Sequence, residues 1–470
     1  MGHVHLVGVS GTGMGALATL FRARGARVTG SDVAFDPPIG PALLEAGVEC
    51  LRGWDAAHLE PAPELVVVGN AIRRDNVEAV AAEQRDLPRS SMSAALRDHF
   101  LRGRRAVVVC GTHGKTTTSS LVAWLLLKAE LEPGYFIGGI PRGLGAGAAL
   151  GRAERSLVKG AAPFVVEGDE YDAVYWHKQP KFYDYVGVSE SDVAIVTSVE
   201  HDHIDIYPTE AAYDAAFIGL FERVPTGGLV VVDRQTRAFE LAKEHARARV
   251  VTYGLDPSAE WSAAAAKDGF DVFAGGSACG RFSSSLPGAH NVRNALAAIA
   301  VAAEAFGVSP AQSRAALASF EGVKRRQELL GAPGGVSVYD DFAHHPTAVD
   351  ETLRALRGKH PSGKLFAVFE PRSATACRNI HQEAYVHAFD AADRVLLAPL
   401  GRTNVPESER LDLSRLAREI GARARACASV DEIVSEIVQN ARTGDAVAVL
   451  SNGAFGGIHQ KLLDALRRGE

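Results

Sequence analysis

Residues 106–118 read Ala106-Val-Val-Val-Cys110-Gly111-Thr112-His113-Gly114-Lys115-Thr116-Thr117-Thr118, an apolar β-branched run that passes straight into a glycine-rich loop ending on Gly-Lys-Thr. The run predicts a buried strand and the residues after the loop predict a helix. A strand–loop–helix turn of this kind holds phosphate, because its backbone N–H groups converge on the helix N-terminus. Only two residues separate Gly111 from Gly114, where the usual Walker loop has four. Lys115 supplies a point charge for β/γ-phosphates and the Thr116 hydroxyl suits Mg²⁺. The plainer reading, a glycine turn with a solvated lysine, does not explain why strand and helix flank it.

Similar short apolar runs recur at 4–9, 65–68, 164–166, 194–196, 229–232, 365–369, 395–397 and 446–450, with helical stretches after them. Buried β-branched strands alternating with helices predict an α/β fold with parallel sheets covered on both faces. Polar, basic residues at 99–105 and a charged then Ala-Pro-Gly-Gly stretch at 322–335 mark boundaries. Three domains follow, at 1–104, 105–325 and 326–470. The alanine run 263–266 reads as local composition bias, and residues 295–303 as a buried helix.

The chain has 470 residues, 47% hydrophobic and 23% charged, with a net charge of −6, so no basic nucleic-acid footprint is expected. The five cysteines, at 50, 110, 279, 377 and 427, are odd in number and form no CxxC pair, which fits reduced thiols in the cytoplasm. No apolar run reaches the roughly 18 residues of a membrane span. The first residues enter a strand directly rather than a signal core.

A second glycine-rich turn opens the chain: Gly8-Val9-Ser10-Gly11-Thr12-Gly13-Met14-Gly15-Ala16, with Asp32 ending the next strand. It fits a dinucleotide fingerprint, yet NAD and a nucleotide diphosphate such as UDP satisfy it equally, and a tight turn without a ligand is the plainer reading. Two acidic clusters follow strands. They are Glu167-Gly168-Asp169-Glu170-Tyr171-Asp172 and Glu200-His201-Asp202-His203-Ile204-Asp205. Ligands sit beyond the carboxyl ends of parallel strands, so both clusters are expected to face the phosphate loop and share in an Mg²⁺ shell. For any one carboxylate, or for His203 between two aspartates, a solvated surface charge is the competing reading.

The loop 111–117, Glu167 in Glu-x-Asp-Glu and Asp202-His203-x-Asp205 together resemble the central domain of Mur ligases. Pro287-Gly288-Ala-His290-Asn291-Val-Arg-Asn294 resembles the family's adenine-side helix. Arg325-Arg326 and Asp340-Asp341-Phe-Ala-His344-His345-Pro346 resemble its third-domain entry. The likeness covers essentially the whole chain. It implies a Rossmann-like UDP-binding domain, a P-loop-type ATPase domain and a C-terminal Rossmann-like domain, with ATP and Mg²⁺ as cofactors. It implies catalytic Lys115, Glu167, His203 and Arg326, and Mg²⁺ on Thr116, Glu167 and His203. The ATP site would comprise Gly111, Thr112, His113, Gly114, Lys115, Thr116, Thr117, Asn291, Asn294, Arg326, Asp341, His344 and His345. UDP-sugar would meet Gly11, Thr12, Gly13, Met14, Ser31, Asp32 and Asn70.

Three segments resemble the family's branch that attaches a preformed tripeptide, L-Ala-γ-D-Glu-meso-diaminopimelate, to UDP-N-acetylmuramate. They are Trp176–Tyr185 in Trp-His-Lys-Gln-Pro-Lys-Phe-Tyr-Asp-Tyr, Glu370-Pro371-Arg372-Ser373-Ala-Thr375, and Ser451-Asn452-Gly453-Ala-Phe455-Gly456-Gly457. Arg372, Ser373, Asn452, Gly453 and Phe455 become the expected peptide contacts. Trp176–Tyr185 either covers the site or packs on a domain face. Departures exist. Phe217 follows Tyr213-Asp-Ala-Ala216 where several Mur ligases have a modified lysine, the Asp-Asn-Pro-Arg diaminopimelate motif is absent, and Gly168 replaces a usual alanine, a change expected to be harmless. The alternatives are an L-alanine-adding ligase, a nicotinamide oxidoreductase built on the first turn, and a nucleotide-binding regulator without catalysis. A monomer or weak oligomer is expected.

Overall fold

A computed structural model describes residues 2–152, 161–402 and 404–468. The chain forms two compact units. The first comprises Met1–His201, Thr209–Ser283 and Arg293–Phe320, and the second Asp202–Pro208, Ser284–Val292 and Glu321–Glu470.

The first unit holds two main sheets. A five-stranded parallel sheet runs Glu49–Arg52, Arg27–Asp32, His3–Val7, Leu65–Val68, Arg89–Ser91 in space. The chain order reverses beside His3–Val7, so the first glycine-rich turn lies at a switch point, where α/β sheets open a crevice. The larger sheet has ten strands. Its centre places Arg105–Cys110 between Val193–Val196 and Pro163–Glu167, all parallel, with registers Val107↔Val193 and Val107↔Val165. These strands are fully buried apart from their ends, as near-continuous valine runs require. The phosphate loop therefore leaves the sheet between the two strands that lead to the acidic clusters.

The alanine run is not mere composition bias. It belongs to strand Trp261–Ala266, which pairs antiparallel with Gly269–Ala274, itself paired to Ser277–Phe282. Alanine has weak strand preference, and the cross-strand partners set this structure rather than the alanines. The expected buried helix at 295–303 lies inside helix Ala289–Phe306.

The second unit is built on a six-stranded sheet in the order Glu328–Gly331, Ser337–Asp341, Ala446–Leu450, Leu365–Phe369, Arg394–Leu397, Ala424–Ala426. Only the first pairing is antiparallel. One core face gathers Tyr339, Val349, Leu353 and Phe369, and the other Val338, Phe366, Ile433 and Leu462. Alternating inward positions thus bury both faces. Three adjacent strands end at Asp341, Phe369 and Leu450, bringing Asp341, Glu370 and Ser451 to one edge. No helix among the described residues is long and apolar enough to cross a membrane.

Candidate active site

Gly111 and Gly114 adopt φ of +122° and +77°, which shape the loop for helix Lys115–Lys128. An added Cβ at Gly111 would stand 2.8 Å from both Ser198 N and Ser198 O, so the loop lies against the neighbouring strand's exit. Thr112 fastens it there: its N–H donates to Ser198 O (3.0 Å), its hydroxyl donates to Glu200 O (2.9 Å) and accepts from Glu200 N (2.9 Å). His113 N donates to Ser198 Oγ (3.1 Å), and its ring lies 3.3 Å from Glu200 Oε2. On the other side the Thr118 hydroxyl donates to Asn294 Oδ1 (3.2 Å).

The carboxylates of the first cluster have separate partners. Glu167 accepts the Thr116 hydroxyl (2.8 Å) on one oxygen and Gly138 N (2.7 Å) on the other. Asp169 pairs with Lys181 (3.0 Å). Burial works against its ionisation, but Lys181 and the Tyr171 amide outweigh that and hold its pKa low. Glu170 takes Lys115 Nζ on both oxygens, each at 3.0 Å, while Nζ also donates to Gly111 O (2.6 Å). All three ammonium donors are thus engaged inside the protein. Burial alone would lower the Lys115 pKa, yet Glu170 overrides it and raises the value. Of the expected Mg²⁺ set, Thr116 and Glu167 are brought together as two hard oxygen donors, the class Mg²⁺ prefers. His203 belongs to the second unit.

In the N-terminal sheet, Gly11 caps helix Thr12–Ala23, and Thr12, Gly13 and Met14 form its first turn. Asp32 does not stand free beyond its strand. It accepts Ser10 N (2.9 Å) and Val33 N (2.7 Å), so it shapes the glycine turn. Ser31 is fully buried and its hydroxyl donates to Glu78. Glu78 also takes His58 Nδ1 at 2.7 Å and His5 Nε2 at 3.2 Å. Ser31 therefore buttresses the sheet. Asn70 is exposed in the turn after Leu65–Val68.

The Trp176 segment packs on a domain face. Asp172–Val174 and His177–Pro180 form a hairpin whose Val174 enters the cluster of Val7, Leu59, Val66, Val68 and Ile72. Arg89 sits over Trp176 (5.6 Å), and Asp184 takes Ser93 Oγ (2.6 Å) and Arg97 (2.8 Å). The segment joins the five-stranded sheet's layer to the body carrying the phosphate loop.

Among the described residues of the second unit, four non-glycine residues hold positive φ: His203 (+51°), Arg325 (+60°), Gln327 (+48°) and Phe455 (+45°). Each falls in or beside an expected site residue, and such strain concentrates where a site constrains the backbone. Asp202 is buried and accepts His203 N at 2.7 Å. Burial opposes its charge, but His203, His344, the Thr375 hydroxyl and the His203 amide hold its carboxyl well below the usual range. Asp341 accepts Gln327 N (2.7 Å) and Ala343 N (2.8 Å). Burial pushes its pKa up, against the pull of Arg326. Arg326 lies over Phe342 at 5.0 Å. His344 Nδ1 faces Phe342 O (3.0 Å), and buried His345 packs edge-on to His381 (4.7 Å). Asn291 lies inside its helix rather than capping it and donates to Pro287 O (2.8 Å).

Arg372 is 44% exposed on its side chain, 3.7 Å from Glu370. An added Cβ at Gly453 or at Gly401 would overlap its side chain, so the arginine lies in a slot between two glycines. Ser451 is fully buried, donates to Glu370 (2.5 Å) and accepts Gly453 N (2.9 Å). Ser373 closes a turn by accepting Ala376 N (3.0 Å). Phe455 is 1% exposed within the second core and anchors the loop. Asn452 Oδ1 is buried without a partner among the described residues.

Sequence reasoning missed two residues. Glu170 was one carboxylate among several, and Arg325 was one of two adjacent arginines. Gly168, which stands where the family usually has alanine, is closely packed. A methyl there would overlap Cys110 Sγ and stand 3.1 Å from Phe182 Cβ and Val108 Cγ1.

Three family models match in succession. They are "Mur ligase family, catalytic domain" over 3–104, "Mur ligase middle domain" over 109–302, and "Mur ligase, glutamate ligase domain" over 325–453. The UDP-N-acetylmuramate–L-alanyl-γ-D-glutamyl-meso-2,6-diaminoheptandioate ligase of Escherichia coli K12 is 38% identical over 99% of this chain and 98% of its own. The UDP-N-acetylmuramate–L-alanine ligase of Paenarthrobacter aurescens is 35% identical over 99% and 97%. A crystal structure of a murein peptide ligase from Psychrobacter arcticus superposes with a TM-score of 0.73 at 35% identity, covering 99% of this chain and 98% of that one. The chain belongs to the Mur ligase family.

Proposed function

We propose that this protein is an ATP-dependent ligase that joins L-Ala-γ-D-Glu-meso-diaminopimelate to UDP-N-acetylmuramate, acting in the cytoplasm in peptidoglycan recycling. The observation that carries the reading is the paired site at the sheet centre: Lys115 on its glycine loop, with Thr116 and Glu167 oxygens side by side. The 38% identity to a tripeptide ligase across 99% of the chain supports the substrate.

A carboxylate is a poor electrophile, so activation must precede amide formation. In this reading a lactyl carboxylate oxygen attacks the γ-phosphorus and the bridging oxygen leaves with ADP. The peptide amine then attacks the acyl carbon, loses a proton, and phosphate departs with the former carboxylate oxygen. The protein's part is positioning and charge balance. Lys115 offsets charge on the moving phosphoryl group. Thr116 and Glu167 would hold Mg²⁺, with His203 as a nitrogen ligand oriented by Asp202. Mg²⁺ supplies Lewis-acid stabilisation of the phosphate oxygens. Arg326 serves phosphate oxygens, Asn291, Asn294 and His345 the nucleotide, and Arg372 a peptide carboxylate. The working modules are 1–104, 105–325 and 326–470.

The test supplies UDP-N-acetylmuramate with a heavy-oxygen label in its lactyl carboxylate. Labelled oxygen in the released phosphate is expected. Unlabelled phosphate formed alongside amide product would refute the acyl-phosphate route.

A further inference from the structure

Two neighbouring arginines, Arg325 and Arg326, open the second unit's main chain segment, and their environments differ. Arg326 stacks on Phe342 and feels Asp341. Arg325 lies over the same ring at 5.2 Å but takes different polar partners. Its Nε donates to Asp340 Oδ2 (3.1 Å), and its Nη2 donates to two backbone carbonyls, Ser451 O (2.9 Å) and Gly453 O (2.8 Å). His459 Nε2 lies 3.0 Å from the other Asp340 oxygen without forming a hydrogen bond to it, and Arg325 N is held by Glu328 Oε2 (2.8 Å). The guanidinium is thus a fork with fixed prongs, the geometry in which arginine differs from lysine.

The consequence lies in the loop it grips. The peptide bonds of residues 451–454 are trans, and in a trans peptide the C=O and the following N–H point in opposite directions. Drawing the Ser451 and Gly453 carbonyls onto Arg325 therefore turns the Asn452 and Ala454 N–H groups away from it. Gly453 N is already spent on Ser451 Oγ. Gly453 also carries the Arg372 side chain across its Cα, where any Cβ would collide. One strand end thus carries two amide donors turned away from Arg325 and the exposed guanidinium of Arg372.

We propose that Arg325 is a positioning residue for the peptide substrate: by holding the Ser451 and Gly453 carbonyls it aims the Asn452 and Ala454 amides at the carboxylate that Arg372 binds. The assignment rests on the peptide-binding reading of Arg372 and this loop. It separates the two arginines by task, Arg325 to peptide and Arg326 to nucleotide. The relevant anion is a carboxylate of the murein tripeptide, which carries several.

The test is Arg325→Lys. Lysine keeps the charge opposite Asp340 but cannot span the carboxylate and both carbonyls. KM for the tripeptide should rise by about tenfold or more, the order expected when a binding group shifts by an ångström, while KM for ATP stays within about twofold. KM does not depend on the fraction of folded enzyme, so the ratio remains readable if the variant is less stable. A merely structural role would lower the apparent kcat and the melting temperature and leave both KM values unchanged, which would overturn the proposal. Arg372→Ala, run alongside, separates the two claims. A raised tripeptide KM in Arg372→Ala with an unchanged one in Arg325→Lys overturns the Arg325 assignment alone. Unchanged values in both overturn the peptide reading of the loop as well.

Discussion

Replacing Glu170 with glutamine removes one charge from the centre of the phosphate site and almost no volume. Glu170 is 1% exposed and its partner Lys115 is 16% exposed on the side chain. Breaking one partner of a buried pair costs about 3–5 kcal/mol. The glutamine carbonyl still accepts one of the two N–H bonds and Gly111 O retains another, so a loss of about 2 kcal/mol is the expected net. The sign at neutral pH is unambiguous. Glu170 raises the Lys115 pKa above its ordinary 10.5, so the pair's contribution is fully present below that value and is lost only as pH rises through the raised one. At pH 7 the empty Glu170→Gln enzyme should therefore melt several degrees lower, roughly 2–4 °C per kcal/mol for domains of this size. In the proposed reading, nucleotide phosphate would compete with Glu170 for the same three ammonium donors. With saturating Mg-ADP the variant should recover most of the deficit, and its ADP dissociation constant should be equal or lower than that of the parent protein. Thermal melts with and without Mg-ADP, joined to calorimetric titration, read both quantities. Weaker ADP binding in the variant, or an unchanged deficit under saturation, would refute the idea that Glu170 is the resting partner Lys115 gives up.

Gly168→Ala should cost about 1–3 kcal/mol by overpacking against Cys110, Phe182 and Val108. Adding Cys110→Ala should restore most of it, with a coupling of about 1 kcal/mol or more in a double-mutant cycle of melts; additive losses would contradict the overlap. Asp202, held well below its ordinary 3.8, contributes stability that is present above that value and lost as pH falls below it. Asp202→Asn should lower stability by about 1–3 kcal/mol at pH 7, and the gap from the parent protein should narrow in melts taken below pH ~4. A gap that stays constant with pH would count against the assigned cause.

The strand, glycine loop and helix around 106–118 were legible because three features coincide in thirteen residues: a valine strand, glycines at the turn and Gly-Lys-Thr at the helix start. The placement of Glu167 beside Thr116 followed from strand ends alone, since parallel register puts neighbouring exits together. Partner choice within a cluster was not legible. Glu167, Asp169 and Glu170 are interchangeable in a string of letters, yet one meets a hydroxyl, one Lys181 and one Lys115. Adjacent Arg325 and Arg326 share the Phe342 ring but not their polar partners; positive φ at Arg325 and Gln327 turns the chain on either side of Arg326, and backbone handedness at non-glycine residues leaves no sequence mark. Ser31 fits the nucleotide turn by position, but side chains alternate along a strand and its hydroxyl faces Glu78. Strand Trp261–Ala266 was missed because its order comes from cross-strand neighbours.

The most direct test of the central claim is phosphate release from Mg-ATP and UDP-N-acetylmuramate, with either L-Ala-γ-D-Glu-meso-diaminopimelate or L-alanine as the amine. Release that depends on the tripeptide and is absent with L-alanine is the predicted result. Release with L-alanine and none with the tripeptide would contradict the account and place this chain with the L-alanine-adding ligases.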